Sequence, residues 1–542
     1  MISDKEKTKG FNIFKPKLNS NEPHKIKFQE QREIDNITII PKITDKNISE
    51  IEVNVIEKPY SYVRILFNNQ YNEYTYEIIE PPLSSEEEVT ISKIKEHLIA
   101  LVEFKDYEID AERIKYIYSL IEQTVRDLNL KLSAMSAEKI KYYIIRDFIG
   151  FGLIQVPMHD PNVEDISCDG LNIPIYIYHR RYGSIRSNIK FEHESELNSF
   201  VIWIVQKSGK HISVANPMID ATLPDGSRLQ TTLGKHVTQR GSSFTIRRFK
   251  PNPFTPLDLI NFKTMSREMM AYVWLAVENG MSMIVVGGTA SGKTTTLNAI
   301  LLFIPPQQKI VSIEDTRELN LPQENWIPSL VREGFGEFNV VSGKRAGEID
   351  MFDLLAAALR QRPQYIMVGE VRGAEAYTVF QAMATGKTCY STFHAEDVKK
   401  MVHRLENDPI NLPRSLLTSL DIVLLQAQVK VGTKMTRRVK NITEIVTIDP
   451  ETGELVTNNA YTWNPADDVF SFSGHSYVYE KIGNIRNWNP RRMEIEVKRR
   501  EQILTYMEKI GARNYTDVAR IVSAYYKNPE GLMERVKSVV SD

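Results

Sequence analysis

Alternating and continuous apolar runs in the first half of the chain predict a mixture of short strands and helices. The clearest helical pattern spans 110–132, because Ile114, Ile117 and Ile121 recur at three- and four-residue spacing and place an apolar stripe on one face. Another helix, over 137–149, is predicted to stop at two nearby glycines. The other elements predicted here are strands at 62–67, 74–79, 165–168, 173–178 and 244–249, and helices at 86–104 and 194–208.

Strands and helices alternate in the second half of the chain, which is typical of a parallel sheet flanked by helices. Between the halves, residues 250–256 carry three prolines, and such a stretch disfavours helix and sheet alike. We therefore predict a hinge-like boundary there. The predicted organisation is a flexible basic tail at 1–35, a strand and helix-bundle extension at 36–135, a mixed α/β domain at 136–250, a proline-rich linker at 251–256 and a larger α/β domain with C-terminal helices at 257–542.

Composition narrows the class of protein. With 542 residues, 42% hydrophobic and 25% charged, the chain has the make-up of a soluble globular protein with two to four domains. The formal net charge of −1 provides no general attraction to nucleic acid or anionic lipid. Two distant cysteines, Cys168 and Cys389, exclude a disulfide framework and a four-cysteine zinc module, so a reducing cytoplasm is expected. No apolar run approaches the ~20 residues of a membrane span, so membrane association would be indirect.

A glycine-rich loop between a predicted strand, 283–286, and a predicted helix, 295–302, carries the strongest chemical signal. Glycines there let backbone N–H groups surround a polyphosphate, and the helix N-terminus adds partial positive charge. Lys293 is placed to reach the β- and γ-phosphates, and the Thr294 hydroxyl to ligate Mg²⁺. The nucleotide-binding residues predicted from this loop are Gly287, Gly288, Thr289, Ala290, Ser291, Gly292, Lys293, Thr294 and Thr295.

Three further polar residues follow predicted strands. Glu314 follows the strand at 309–313, Glu370 follows the one at 365–368, and His394 ends another. In open α/β sheets ligands gather at the carboxyl ends of strands, so these side chains are candidates to polarise water or support a metal. A solvated acidic turn and a structural histidine are the alternatives. Gly369 stands where many P-loop proteins carry a magnesium-holding Asp.

Arginines are concentrated before the proline-rich stretch, at positions 228, 240, 247 and 248, with no acidic run near them in the sequence. Each alone is explained as a surface cation. Together they are able to supply charge to the nucleotide of a neighbouring subunit, the role of an arginine finger.

The order of four sequence blocks resembles the secretion/type IV pilus ATPase superfamily. The blocks GGTASGKTTTLNA, SIEDTRELN, LRQRPQYIMVGEVRGAEA and GKTCYSTFHA correspond to its Walker A, Asp box, Walker B and His box. Upstream, RDFIGFGLIQVPMHDPNVEDISCDG and DATLPDGSRLQTTL resemble the archaeal branch, which includes archaellum motor ATPases and archaeal pilus or secretion ATPases. The absence of the tetracysteine zinc module that bacterial type II secretion members often carry favours the archaeal or the pilus-retraction-like branch.

This resemblance implies a small N-terminal α/β domain followed by a RecA-like ATPase domain at 257–542, with ATP at the subunit boundaries of a ring, usually a hexamer. It implies that Lys293 and Thr294 hold phosphates and Mg²⁺. Because Gly369 replaces the usual Asp, the further metal contact would run through Glu370 or an ordered water. The implied catalytic residues are Glu314, Glu370, His394, Arg228, Arg240 and Arg247. The expected cofactors are ATP and Mg²⁺, and the expected partner is a polytopic membrane platform protein, contacted from the cytoplasm.

The favoured hypothesis is a motor that drives assembly or rotation of an archaeal type IV pilus-like filament, the archaellum first and an archaeal pilus or type II-like secretion system as the alternative. A GTPase switch is disfavoured because the guanine-reading NKxD motif is missing. A DNA translocase is a distant alternative, since the charge is near neutral and no basic stripe is evident. A scaffold that only binds ATP fits the intact Lys293, Glu314 and Glu370 least well.

Overall fold

The computed structural model describes residues 37–101, 110–249, 252–332, 334–339, 344–432 and 434–540. The tail predicted at 1–35 lies outside the described residues, as does Pro251 of the predicted linker. The chain divides into two compact units, Met1–Arg248 and Phe249–Asp542. The exact domain boundaries stay a prediction. In the part of the chain that is described, no helix is long and apolar enough to cross a bilayer.

The first unit contains nine strands and five helices within its described residues. A 3₁₀ turn at Gly152–Ile154 precedes its fourth helix. The elements, in chain order, are β1 (Ile48–Glu57), β2 (Ser61–Asn68), β3 (Glu73–Ile79), α1 (Ser85–Leu101), α2 (Asp110–Asp127), α3 (Ala134–Phe148), α4 (Gln155–His159), β4 (Val163–Cys168), β5 (Pro174–His179), β6 (Gly183–Lys190), α5 (Glu194–Lys207), β7 (Met218–Thr222), β8 (Arg228–Thr232) and β9 (Ser243–Arg247).

One sheet joins all the strands of this unit, in the order β1-β2-β3-β6-β5-β4-β9-β8-β7. The predicted extension and the predicted mixed α/β domain share it, because β3 pairs in parallel with β6. Helix α5 buries Leu197, Val201 and Ile204, which belong to the same apolar core as the inward side chains of the strands. Helices α1, α2 and α3 enclose a separate core.

The second unit is larger. A 3₁₀ turn at Leu301–Phe303 extends its third helix. Its elements are α6 (Pro256–Asn261), α7 (Arg267–Glu278), β10 (Met283–Val286), α8 (Lys293–Ile300), β11 (Ile310–Glu314), β12 (Trp326–Leu330), β13 (Phe335–Asn339), β14 (Lys344–Ala346), α9 (Met351–Arg360), β15 (Tyr365–Val371), α10 (Glu375–Ala384), β16 (Thr388–Phe393), α11 (Val398–Glu406), α12 (Arg414–Leu417), β17 (Ile422–Val431), β18 (Lys434–Ile448), β19 (Leu455–Asn464), β20 (Val469–Phe472), α13 (Tyr477–Arg486), α14 (Pro490–Lys509), α15 (Tyr515–Lys527) and α16 (Pro529–Val540).

The main sheet of the second unit has the strand order β12-β11-β15-β16-β10-β17-β18-β19-β20. From β12 to β17 the neighbours are parallel, which confirms the predicted α/β class. From β17 to β20 the neighbours are antiparallel and form a meander.

Both faces of the parallel half are covered, which explains its continuous apolar strands. In β10, Met283 and Val285 join one core with α7 and α8, whereas Ile284 and Val286 join the other core with α10. All four are fully buried. The strand therefore has no solvent-facing side and leads directly into the glycine-rich loop.

Candidate active site

The glycine-rich loop runs from the end of β10 to the start of α8. Gly292 caps the helix with φ of 91°, and Ala290 has φ of 58°, so the chain passes twice through left-handed backbone. Gly287 is held closely, since an added Cβ would lie 2.2 Å from the backbone oxygen of Gln426. Backbone therefore packs against backbone here, and the loop leads into the N-terminus of α8, whose first N–H groups have no partner within the helix.

Lys293 lies in the first turn of α8 and is half-buried. Its Nζ donates to the Gly288 carbonyl at 3.0 Å, and the Ser291 hydroxyl donates to the same oxygen at 2.9 Å. Burial lowers the pKa of Lys293, while the charges of Glu370 and Glu318 oppose that effect. The ammonium group thus lies inside the loop and within electrostatic range of two acids. Thr294 and Thr295 follow it and are partly buried.

The sheet brings the predicted acids and the histidine to the edge that carries the loop. Strands β11, β15, β16 and β10 are consecutive neighbours and all parallel, so their carboxyl ends share one edge. The Gly287 amide donates to the Phe393 carbonyl at 3.2 Å, which ties the start of the loop to the end of β16. Glu314, Glu370 and His394 therefore lie on the same sheet edge as Lys293.

Glu314 is the last residue of β11 and is only 2% exposed. Its Oε1 accepts hydrogen bonds from the backbone amides of Glu318 and Leu319, at 3.0 and 2.9 Å. Its Oε2 is buried and has no hydrogen-bond partner among the described residues. Burial raises the pKa of Glu314 to about 7, although the two backbone hydrogen bonds act to lower it. This carboxyl group is therefore close to changing its charge near neutral pH.

Gly369 explains how Glu314 fits there. A Cβ added to Gly369 would lie 3.3 Å from Cγ of Glu314, so the side chain of the acid lies over the bare backbone of β15. The Thr392 hydroxyl donates to the Gly369 carbonyl at 2.7 Å and fixes that backbone from the other side.

Glu370 is part of β15, which extends to Val371, three residues beyond Val368, where the sequence predicted the strand to end. Its Oε2 accepts from Nε of Arg372 at 3.0 Å and from Nη2 of the same guanidinium. Arg372 also lies 3.7 Å from Asp315. The acid is thus held by an exposed cation next to the loop, an arrangement that the sequence did not indicate.

His394 follows β16 directly, and its side chain is exposed. Its backbone carbonyl accepts a hydrogen bond from Arg404, whose guanidinium also covers the Phe393 ring at 5.2 Å. These contacts hold the backbone at His394 in place and do not involve its exposed imidazole. The catalytic role of His394 stays a prediction.

The three predicted arginines lie in the first unit. Arg247 of β9 stands between Asp165 of β4 and Arg228 of β8 in the register of the sheet. No acidic run lies near Arg247 in the sequence, but the sheet supplies an acidic partner, because β4 brings Asp165 to 3.3 Å from its Nε. Arg240 is exposed between β8 and β9. Whether any of the three faces a nucleotide stays a prediction.

Two residues near the loop were missed. Gln426 interrupts the apolar run of β17 and is only 2% exposed, and Arg437 of β18 donates from Nε to the Ala290 carbonyl at 3.0 Å. A polar residue within an apolar strand was a usable signal for Gln426. Nothing local marked Arg437, because its position depends on how β18 pairs with β17.

Comparison with known proteins adds four findings. The sequence profile described as type II/IV secretion system protein matches residues 172–480. An uncharacterized protein of Methanocaldococcus jannaschii, MJ0900, is 37% identical over 494 residues, covering 86% of this chain and 88% of its own.

The type IV secretion system protein PtlH of Bordetella pertussis is 29% identical over 265 residues, which cover 43% of this chain and 76% of PtlH. Among solved structures, the Legionella pneumophila ATPase DotB matches with 21% identity and a TM-score of 0.36, over 54% of this chain and 78% of its own. The profile match includes every loop and sheet-edge residue described above, from Gly287 to Arg437.

Proposed function

Because the chain belongs to the type II/IV secretion system protein family, we propose that it is an ATP-hydrolysing motor that works as a homo-oligomeric ring, with a hexamer expected. The observation that carries this proposal is the placement of Glu314 and Glu370 on the same sheet edge as Lys293. One edge thus combines a phosphate cradle, a cation and two acids, which are the parts that phosphoryl transfer to water requires.

The loop fits a nucleoside triphosphate with Mg²⁺. Gly287 has no room for a side chain, and Gly292 has the positive φ that leaves the N–H groups of α8 free to face phosphate oxygens. Lys293 would contact the phosphates, while the Thr294 hydroxyl and Glu370 would hold Mg²⁺. The metal would supply charge neutralisation on the phosphate oxygens.

Glu314 is the proposed base. A carboxylate with a pKa of about 7 is well matched to accept a proton at neutral pH, and its buried Oε2 accepts no hydrogen bond from any described residue. Water would attack the terminal phosphorus, its proton would pass to Glu314, and the bond to the leaving diphosphate oxygen would break. Arg372 holds Glu370 in place for its metal role.

The machinery served is proposed to be an archaeal type IV pilus-like filament, with the archaellum favoured and an archaeal pilus or type II-like secretion system as the alternative. The upstream blocks that resemble the archaeal branch support this, as does the extensive match to MJ0900. The motor would act from the cytoplasmic face of the membrane through a polytopic platform protein. Arg228, Arg240 and Arg247 are proposed to reach a neighbouring subunit's nucleotide.

The test compares three variants of the full chain. Glu370→Gln should keep the affinity for a fluorescent ADP analogue but lose nearly all phosphate release, by about 100-fold or more. Lys293→Ala should lose nucleotide binding itself. Glu324→Gln, which changes an exposed carboxyl group on the same unit, is the matched control and should leave both measurements unchanged. Normal hydrolysis by Glu370→Gln would remove Glu370 from the mechanism.

A further inference from the structure

The hairpin of β17 and β18 packs against the glycine-rich loop and forms one wall of it. In the sheet order, β16, β15 and β11 lie on one side of β10, whereas β17 and β18 lie on the other. Glu314 and Glu370 belong to the first side. The hairpin therefore contacts the loop from the side opposite the acids.

Gln426 provides the buried part of this wall. Its backbone oxygen blocks any side chain at position 287, and its Nε2 would lie 3.1 Å from a Cβ added to Gly292. Its Oε1 is buried without a hydrogen-bond partner in the described part of the chain. A buried acceptor left unpaired is costly, so this amide marks a place where a ligand or a shift of the loop can supply a donor.

Arg437 provides the exposed part. Nε bonds to the Ala290 carbonyl, and Cδ would lie 3.2 Å from a Cβ added to Gly292, so the side chain lies along the rim of the loop. Its two terminal nitrogens make no hydrogen bond to any described residue. A guanidinium held at the rim of a phosphate loop with free N–H groups is suited to a phosphate oxygen.

The neighbouring residue explains why Arg437 is well placed. Arg438 is buried, forms a bidentate pair with Asp468 at 2.8 and 2.9 Å, and donates to the Phe262 carbonyl at 3.1 Å. These contacts fix β18 at this point. The direction of Arg437 is therefore set by the strand, while the end of its side chain stays available.

We infer that the β17–β18 hairpin forms a subsite for the part of the nucleotide that ATP and ADP share, the inner phosphates and ribose, with Arg437 as the binding residue and Gln426 as a positioning residue for the loop. This inference rests on the proposed function. The reacting phosphate must lie near Glu314 and Glu370, so the opposite wall faces the part that does not react. Contacts to that part stabilise ground state and transition state equally and act on binding, not on the chemical step.

The experiment uses the full chain with Mg²⁺ and two assays, titration with the fluorescent ADP analogue mant-ADP and steady-state ATP hydrolysis. Arg437→Ala should raise the Kd for mant-ADP and the KM for ATP by a similar factor, about tenfold, while kcat changes less than about twofold. Arg437→Lys should recover part of the affinity because it restores the charge. Lys440→Ala removes an exposed cation from the same strand and should change neither value.

Arg437→Gln separates phosphate binding from a structural hydrogen bond. Its amide can still donate to the Ala290 carbonyl but has no charge, so it should lose affinity as Arg437→Ala does, and the salt dependence of binding should fall in both. Wild-type affinity in Arg437→Gln, or a loss confined to kcat in Arg437→Ala, would overturn the subsite.

The Lys293→Ala variant distinguishes a failure of the subsite from a failure of the proposed nucleotide site. If Lys293→Ala abolishes binding of mant-ADP while Arg437→Ala leaves it intact, the subsite alone is wrong. If Lys293→Ala binds mant-ADP as the wild type does, the proposed nucleotide site itself is wrong and the subsite is overturned with it.

Discussion

Replacement of Glu314 by Gln should make the nucleotide-free protein more stable at alkaline pH, even though it removes the proposed base. The reason is the burial of this carboxyl group, which is 2% exposed and satisfies only one of its two oxygens. Ionising it without a partner is costly, and the raised pKa expresses that cost. Gln keeps the oxygen that accepts from the amides of Glu318 and Leu319, and it cannot ionise.

The magnitude follows from linkage. With the pKa raised from 4.5 to about 7, the folded state binds more protons than the unfolded state between these values, so stability falls as pH rises through this window. Each pKa unit corresponds to about 1.4 kcal/mol, so the full loss is about 3 kcal/mol. Below the window the proton is bound in both states and the Glu314 contribution is fully present. Above it the contribution is gone, and Gln avoids the loss.

Thermal unfolding of the wild type and Glu314→Gln from about pH 5 to about pH 8 is the assay. For a domain of this size about 2 °C corresponds to 1 kcal/mol, so the difference in Tm should move by about 5 °C in favour of the variant across that range. Any cost of the buried amide is the same at every pH and does not affect this slope. Glu324→Gln, at an exposed site, should show no such trend. A difference in Tm that stays constant with pH would refute the reasoning.

Two further predictions concern the loop and the ring. Gly287→Ala should abolish mant-ADP binding, because its Cβ would lie 2.2 Å from the Gln426 backbone oxygen and 2.6 Å from the Ser291 hydroxyl. Gly288→Ala, whose Cβ would have nothing within 4 Å, should bind mant-ADP within about tenfold of the wild type, and equal binding by both variants would contradict the close packing. Arg228→Ala should lower ATP hydrolysis more than nucleotide binding, and mixing it with Lys293→Ala chains should restore part of the hydrolysis; no recovery on mixing would argue against action across subunits.

The sequence predicted those parts of the site that depend on local pattern. The loop, the apolar strand before it and the helix after it are adjacent in the chain, and the order of parallel strands then places Glu314 and Glu370 at the same edge. Strand and helix positions in the first half were also close, as with the helix predicted at 194–208 and observed at Glu194–Lys207. Periodicity captured these elements because each has one buried face.

What the sequence did not predict depends on distant pairing. Only the register of β17 with its antiparallel neighbour β18 places Arg437 beside Ala290. Helix α9 ends at Arg360, and Arg362 adopts a left-handed φ of 53° just beyond it, which no local pattern marked. The pairing of Arg247 with Asp165 joins residues 82 positions apart. No local pattern encodes such contacts.

Gly369, which stands where many P-loop proteins carry an Asp, also accounts for how Glu314 is buried. Because a Cβ at position 369 would lie 3.3 Å from Glu314 Cγ, an aspartate there would crowd the same space and add a like charge to a carboxyl group that is already costly to ionise. The bare backbone at position 369 therefore leaves room for the side chain of Glu314, and Glu370 is the acidic residue of β15.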